Sequence, residues 1–581
     1  MATVADQLIT ALRHGGVRRV YGIPGDSLNG LTDAIRRVPG PDGVSWELVR
    51  HEETAAFAAA ADAALTGTLA VCAGSCGPGN LHLINGLFDA QRSRVPVLAI
   101  AAHIPIAEIG SQYFQETHPQ ELFKECSVYC ELISTAETAP RIVAQAMRAA
   151  VEDNGVAVIV VPGEVLLARS DDPGWAQRPV YATRSVCRPD DRSLTNAATV
   201  LNAAEKVTIL AGAGVAGAHE ALLTAADTLA APIVHALRGK EHIEYDNPFD
   251  VGMTGLLGFA SGYKAIAEAE VLLMLGTDFP YQQFYPEDAT VIQVDIRGRH
   301  LGRRTPVDLP LLGSVADTLA ALQPQLTRKT ERNHLQRALA HYRKTRAGLD
   351  ALAVDDRGRT PIRPEYLAAT VDRIAAPDAV FTVDVGSPVV WASRYLHMNG
   401  RRRLIGSFNH GSMAGAVPQA IGAQTAAGDR QVVAFAGDGG LTMLLGELLT
   451  LIQNRLPVKV VVFNNSSLNF VELEMKAAGF VNFGTGLHDP DLAAVATAAG
   501  MLGRRVERPG ELDAALGEAF AHDGPALVDV VTARQELSIP PAISVEQAKG
   551  FSLYAIRTIL AGRGDELLDL VSTNVARRIL S

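Results

Sequence analysis

Val432-Val433-Ala434-Phe435-Ala436-Gly437-Asp438-Gly439-Gly440 and Val458-Lys459-Val460-Val461-Val462-Phe463-Asn464-Asn465 decide how this chain is read. Each stretch is an apolar run that ends on polar residues. Between Gly439 and Asn464 lie 24 residues, enough for one helical crossover between neighbouring parallel strands. A hard cation such as Mg²⁺ takes oxygen ligands in near-octahedral geometry and commonly shares them with a phosphate. An Asp carboxylate and an Asn amide at adjacent strand ends supply two such oxygens. The glycines let the backbone come close to a diphosphate, and a helix starting there points its N-terminus at the anion. The plainer alternative is a pair of ordinary strand-end turns; the paired motif at this spacing favours the metal and diphosphate reading.

Working outward, a chain of 581 residues exceeds what one core organises and implies roughly three or four domains. Hydrophobic residues make up 48% and charged residues 20%, a globular balance. The net charge of −11 gives no reason to expect nucleic-acid binding. Met1 to Leu12 is amphipathic, carries Asp6 and lacks the apolar centre of a signal peptide. No apolar run reaches the ~18 residues of a spanning helix. The 5 cysteines lack zinc-ribbon spacing and read as reduced cytosolic thiols.

Strand-like and helix-like segments alternate in three blocks, which implies an α/β protein of three doubly wound parallel-sheet domains. The first domain, residues 1–183, has strands near Val17–Ile23, Thr68–Cys72, Val95–Ala101 and Val156–Val161. A polar, proline-containing linker runs from 171 to 192. The second domain, 184–335, has strands at Val207–Leu210, Ile233–Ala236, Val271–Leu275 and Val291–Val294. A charged helix and connection over Arg328–Arg359 lead into the third domain, 336–533, with strands at Ala379–Val383, Val432–Ala436, Val458–Phe463 and Ala526–Val531. The tail, 534–581, ends in an amphipathic pattern: Leu567, Leu568, Leu570, Val571, Val575, Ile579 and Leu580 share a face beside Arg577 and Arg578. Such a helix either packs on its own body or a partner subunit, or lies in a membrane interface.

Several other residues stand out. Glu52 opens an alanine-rich, buried-looking helix, where a carboxylate needs a partner or a raised pKa; complementing the helix dipole is the alternative. Gly74-Ser75-Cys76-Gly77-Pro78-Gly79-Asn80 follows a strand and reads as a turn or as a loop approaching a ligand. Phe114 and Gln115 either border a substrate pocket or, for Phe114, pack in the core. Ala211-Gly212-Ala213-Gly214-Val215-Ala216-Gly217 is a weak dinucleotide signal. Met413 is a soft core filler unless a ligand sits against it.

The Gly437-Asp438-Gly439 and Asn464-Asn465 pair resembles the diphosphate anchor of thiamine-diphosphate (ThDP) enzymes, which commonly carry His-Glu where His51-Glu52 stands. Longer runs, Cys72 to His82, Tyr113 to Pro119, His235 to His242 and Gly406 to Ala414, extend the resemblance to the bacterial pyruvate oxidases over essentially the whole chain. It is strongest to the quinone-dependent pyruvate dehydrogenases, which oxidise pyruvate to acetate and CO₂. The resemblance implies ThDP, Mg²⁺ and FAD as cofactors. In that reading Glu52 relays a proton to the ThDP aminopyrimidine, and Met413, with Gly411 and Ser412, supports the bent cofactor. Asp438, Asn465 and the Ser467 carbonyl take the metal, while Gly439, Gly440, Ser466, Leu468, Asn469, Phe470 and Val471 complete the ThDP site. Relatives place glycine where Asn469 stands, and Asn tolerates positive φ better than most residues. Phe114, Gln115 and Phe470 serve the substrate. FAD falls to Met253, Thr254, Gly255, Leu256, Gly276, Thr277, Asp278, Phe279, Pro280 and Asp295, the last accepting from ribose hydroxyls.

The same resemblance implies a membrane quinone as electron acceptor, lipid docking through the tail, and a cytoplasmic protein peripheral to the inner face of the cell membrane. The residues matching Glu52 and Asp438 meet from different subunits in this superfamily, which implies at least a dimer and an expected homotetramer. Rival readings are an acetohydroxyacid synthase with structural FAD, an oxidase that uses oxygen and phosphate, and a catalytically silent binding protein on the same fold.

Overall fold

The computed structural model describes residues 2–40, 43–170, 176, 185–354, 359–488, 490–534 and 553–554. Of the expected linker from 171 to 192, residues 171–175 and 177–184 lie outside the described residues, as does nearly all of the tail. Three six-stranded sheets are present, and every strand pairing between named strands is parallel. The first sheet runs in the order Ser45–Leu48, Arg19–Gly22, Ala70–Gly74, Val97–His103, Val156–Pro162, Tyr129–Leu132. The third runs Arg403–Gly406, Val380–Val383, Val432–Gly437, Lys459–Asn464, Ala526–Val531, Leu502–Val506. Numbered within each sheet, both follow 2-1-3-4-6-5. The middle sheet runs Leu309–Leu312, Thr290–Asp295, Val271–Leu275, Val207–Ala211, Ile233–His235, Asp250–Met253, which is the order 6-5-4-1-2-3. In such open parallel sheets ligands bind beyond the carboxyl ends of the strands where the strand order reverses.

The inner strands are continuous apolar runs because helices cover both faces. Val97–His103 and Val156–Pro162 are buried along their whole length. The first and third sheets share one core, sealed by two small-residue helices, Glu52–Thr66 and Ala416–Ala427. A Cβ on Gly422 would stand 2.0 Å from the Ala58 carbonyl oxygen. Only glycine against alanine permits that approach, which is the physical reason for the alanine run after Glu52. The middle sheet keeps its own core and is tied to its neighbours by polar contacts. Arg238 Nη2 donates to Ser93 O at 2.6 Å, Arg403 pairs with Glu241 at 3.0 Å, and Arg94 pairs with Asp278 at 3.0 Å. The charged segment after 328 forms the helix Asn333–Asp350. No helix among the described residues is long and apolar enough to cross a membrane.

Candidate active site

Three polar sites sit at the carboxyl ends of the three sheets. In the first, Glu52 begins its helix and is only 6% exposed. His51 is the N-cap, and its ring nitrogen accepts the Glu53 N–H at 3.2 Å. The Glu52 carboxylate finds its partner in His82, whose Nδ1 lies 2.9 Å from Oε2. The His51 and His82 rings stack at 4.3 Å. Burial, and then the neighbouring His82, hold His51 below the ordinary imidazole range. The other oxygen, Oε1, stands 3.0 Å from where a Gly79 Cβ would be, so glycine keeps that side open. Gln115 closes on the same loop: its Oε1 accepts from Cys76 Sγ at 3.3 Å, and its φ is 63°. Phe114 is 78% exposed, which removes the core-packing alternative for it within the chain.

The second site lies where the third sheet reverses its order, between the ends of Val380–Val383 and Val432–Gly437. Asp438 opens the helix Asp438–Met443, is 8% exposed, and its Oδ1 accepts the Gly439 N–H at 2.9 Å. Asn465 Oδ1 accepts the Ser467 N–H at 3.1 Å, and Ser467 Oγ donates to Glu472 Oε2 at 2.7 Å. Around the Gly439 Cβ position converge Leu468 (2.9 Å), Leu487 (3.1 Å) and Met413 Cε (3.4 Å). The structure therefore brings Met413, Gly439 and Leu468 together from three separate stretches. Gly411, at φ 85°, faces open space. The only donors that Asp438, Asn465 and Ser467 offer are oxygens, the chemistry Mg²⁺ requires, and a diphosphate would complete the shell. Among the described residues no group of three or more His, Cys, Asp or Glu forms a metal cage. Positive φ falls on Ser466 (54°), whereas Asn469 is the first residue of the helix Asn469–Ala477. Strain in this turn thus sits three residues before the expected position.

The third site is a cleft of about 840 Å³ at the reversal point of the middle sheet. Its walls include Gly212, Gly214, Met253–Leu256 and Gly276–Pro280 from the middle domain and Phe408 and Phe470 from the third. Gly214 and Gly276 pack backbone on backbone: a Gly214 Cβ would stand 2.6 Å from Gly276 Cα. Thr254 Oγ1 is buried there with no hydrogen-bond partner, an orphan that a ligand atom would satisfy. Asp278 is bound by Arg94, Arg303 and Arg304. Burial alone would raise its pKa, but the three guanidinium groups outweigh it and hold the carboxyl below its ordinary range. Arg94, Arg238 and Arg297 line the cleft itself and supply cationic groups suited to a pyrophosphate. Asp295 does not reach the wall; its Oδ1 accepts the Arg297 N–H at 2.9 Å, and Ile296 and Arg297 line the cleft instead. The glycine cradle, the orphan hydroxyl and the arginines fit a dinucleotide.

Sequence reading missed three supporting residues. His82 ends a stretch singled out for resemblance, but nothing in spacing says that it reaches Glu52. Asp384 is 2% exposed and binds the N–H groups of Ala416 (2.9 Å) and Gly437 (3.2 Å), joining the loops of Met413 and Asp438. Burial pushes its carboxyl up to about 6. Asn85 donates to both Glu53 Oε1 (2.6 Å) and Ser412 Oγ (3.0 Å), tying the first site to the second. These pairings span 30 residues or more and leave no periodic signal.

Comparison with known proteins agrees with this geometry. Residues 2–122 match the N-terminal TPP binding domain of thiamine pyrophosphate enzymes, 194–322 their central domain, and 384–530 their C-terminal TPP binding domain. YdaP of Bacillus subtilis, a provisionally named thiamine pyrophosphate-containing protein, is 35% identical over 98% of both chains. The pyruvate oxidase of Lactiplantibacillus plantarum is 32% identical over 90% of this chain and 87% of its own. The large subunit of acetolactate synthase isozyme 2 from Escherichia coli is 30% identical over 90% of this chain and 95% of its own. With all three family domains matched in order and full-length relatives above 30% identity, the chain belongs to the thiamine pyrophosphate enzyme family.

Proposed function

We propose that the protein oxidises pyruvate to acetate and CO₂, with ThDP, Mg²⁺ and FAD as cofactors and a membrane quinone as the final electron acceptor. The observation that carries this reading is the extent of the cleft. It begins at the glycine turns of the middle sheet and reaches Phe470 and Glu474, on the helix that directly follows the turn 465–468. A redox cofactor filling it would end at the edge of the site where decarboxylation leaves two electrons to be removed.

ThDP, when bound, supplies the electron sink for decarboxylation. Asp438, Asn465 and Ser467 would hold the metal, and through it the diphosphate. Met413, packed toward Gly439, would buttress the middle of the cofactor. Glu52 would exchange a proton with the aminopyrimidine, with His82 fixing one carboxylate oxygen so that the other faces the ring. The aromatic cluster of Phe279, Tyr281, Phe284 and Tyr285 packs edge to face, with Phe279 and Tyr281 in the wall of the cleft, and would exclude water from the flavin end. Phe114 (78% exposed) and Phe483 (89%) are large apolar side chains left open to solvent. They support an oligomer of at least two subunits, with a tetramer as the proposed state. The tail is proposed to dock on lipid beside the quinone.

A second reading, carboligation to acetolactate with structural FAD, is favoured by the acetolactate synthase relatives. A third, oxidation with oxygen and phosphate, is favoured by the pyruvate oxidase relative. Product analysis separates them. The purified enzyme with pyruvate, a short-chain ubiquinone and phospholipid vesicles is expected to form acetate in step with quinol, faster with vesicles than without. Acetolactate without quinol, or peroxide that requires phosphate, would replace the proposal with the second or third reading.

A further inference from the structure

The helix Glu447–Gln453 follows Asp438 in the same crossover; it packs on the helices Ala416–Ala427 and Leu492–Ala499 of its own domain and also reaches the first domain through polar side chains. Glu447 is 1% exposed. Its carboxylate accepts the Arg50 N–H at 3.1 Å, accepts the Thr450 hydroxyl at 2.6 Å, and also faces the His51 N–H. Burial raises its pKa above the ordinary glutamate value. At the other end of the helix, Gln453 Oε1 accepts from Arg50 Nη2 at 2.6 Å and Asn454 Nδ2 donates to Leu48 O at 3.1 Å. One helix of the third domain thus splints the segment Leu48–His51 at both ends. That segment delivers His51, the N-cap of the helix on which Glu52 is the first residue.

We infer that Glu447 is a positioning residue for Glu52. The extended backbone before a helix has N–H groups that no helical bond satisfies. A buried carboxylate bound to two of them fixes where the helix begins, and hence where the first side chain points. Glu52 has one oxygen on His82 and one left for a ligand, so a rotation of its Cα would misaim the free oxygen. Misplacing a reacting group by about 1 Å costs on the order of 10²-fold in rate. The contact also links Asp438 to Glu52 within one chain: a shift of the Asp438 crossover would be felt at the proton-exchanging carboxylate. The proposal rests on Glu52 acting on ThDP, and its test separates the two ideas.

Two measurements on Glu447→Ala, Glu447→Gln and Glu52→Gln test it. In the protein without cofactors, hydrogen–deuterium exchange by mass spectrometry should show faster exchange in peptides covering 48–54 for Glu447→Ala. Glu447→Gln, which keeps an acceptor oxygen, should restore protection, with melting temperatures of both variants close to the parent. With Mg²⁺ and ThDP bound, acid-quenched NMR reads the exchange rate of the ThDP C2 proton without any substrate. Glu447→Ala should slow it at least tenfold while its ThDP dissociation constant stays within about threefold, and Glu447→Gln should recover most of the loss. Unchanged amide protection, or parental C2 exchange in Glu447→Ala, overturns the inference. Parental C2 exchange in Glu52→Gln instead removes Glu52 from the chemistry and takes the inference with it.

Discussion

Gly440 is the most demanding position in the diphosphate site, and a single methyl group there probes the whole arrangement. A Cβ at this position would stand 2.2 Å from Asp384 Oδ2 and 2.8 Å from its Cγ, where ordinary contact begins at about 3.5 Å. Relief requires the carboxylate to retreat by about 1 Å. Its oxygens are tied to the N–H groups of Ala416 and Gly437, so retreat loosens both loops. Hydrogen bonds to a charged acceptor contribute about 1.5–3 kcal/mol each, and alanine in a helix recovers about 1 kcal/mol over glycine. The expected net cost is about 2–5 kcal/mol, which corresponds to about 5- to 60-fold weaker binding of Mg–ThDP if half of it falls on the bound state. Titration of the cofactor into apoprotein, followed by calorimetry or by the fluorescence of buried Trp391, reads this directly. Gly446→Ala is the control, because nothing lies within 4 Å of its Cβ position and its φ is −57°. Gly440→Ala that binds the cofactor within threefold of the parent, with an unchanged melting temperature, would refute the packing argument.

Glu52→Gln should retain most of its ThDP affinity and lose about 10²–10⁴-fold in turnover, measured as acetate formed per minute; near-parental turnover would contradict the proton role. Thr254→Val removes a buried hydroxyl without a partner, so the flavin-free protein should be as stable as the parent or more so, while FAD retention on gel filtration falls severalfold. Asp89, 1% exposed between Gln419 and Ser93, has its carboxyl pushed up to about 6 by burial. A folded-state pKa above the unfolded one adds stability that is fully present below about pH 4 and is lost as pH rises through 6. The melting temperature of Asp89→Asn relative to the parent should therefore climb between pH 4 and 6 and level off above, by up to about 3 kcal/mol in stability; a flat difference would show that the side chain titrates normally.

The twelve strands legible in the sequence are the inner strands of the three sheets, and the six left unnamed are the edges. The cause is solvation. Inner strands are covered on both faces and read as unbroken apolar runs. Edge strands such as Ser45–Leu48, Tyr129–Leu132 and Leu502–Val506 are partly exposed and carry Glu47, Glu131, Arg504 and Arg505, so neither a run nor a period marks them. The site divides in the same way. Asp438, Asn465 and the glycines announce themselves because strand ends and close backbone approach restrict residue type. Glu52 stands out as a carboxylate in an alanine helix. Of the residues that hold them, His82 and Asp384 reach partners 30 residues or more away within one domain, and Asn85 and Glu447 reach across domains; any polar residue looks alike until the sheets bring it to its partner. Asn469 shows the opposite error: its residue type suggested strain, but Ser466 carries the positive φ and Asn469 simply begins a helix.

The central claim is that electrons leave pyruvate through the flavin held in the cleft. Mixing the enzyme loaded with ThDP, Mg²⁺ and FAD with pyruvate under anaerobic conditions tests it in one trace at the flavin absorbance near the visible maximum. The account predicts full bleaching within the turnover time, with one acetate and one CO₂ per flavin, and return of the colour when quinone is added. A flavin that stays oxidised while pyruvate is consumed to acetolactate would contradict it.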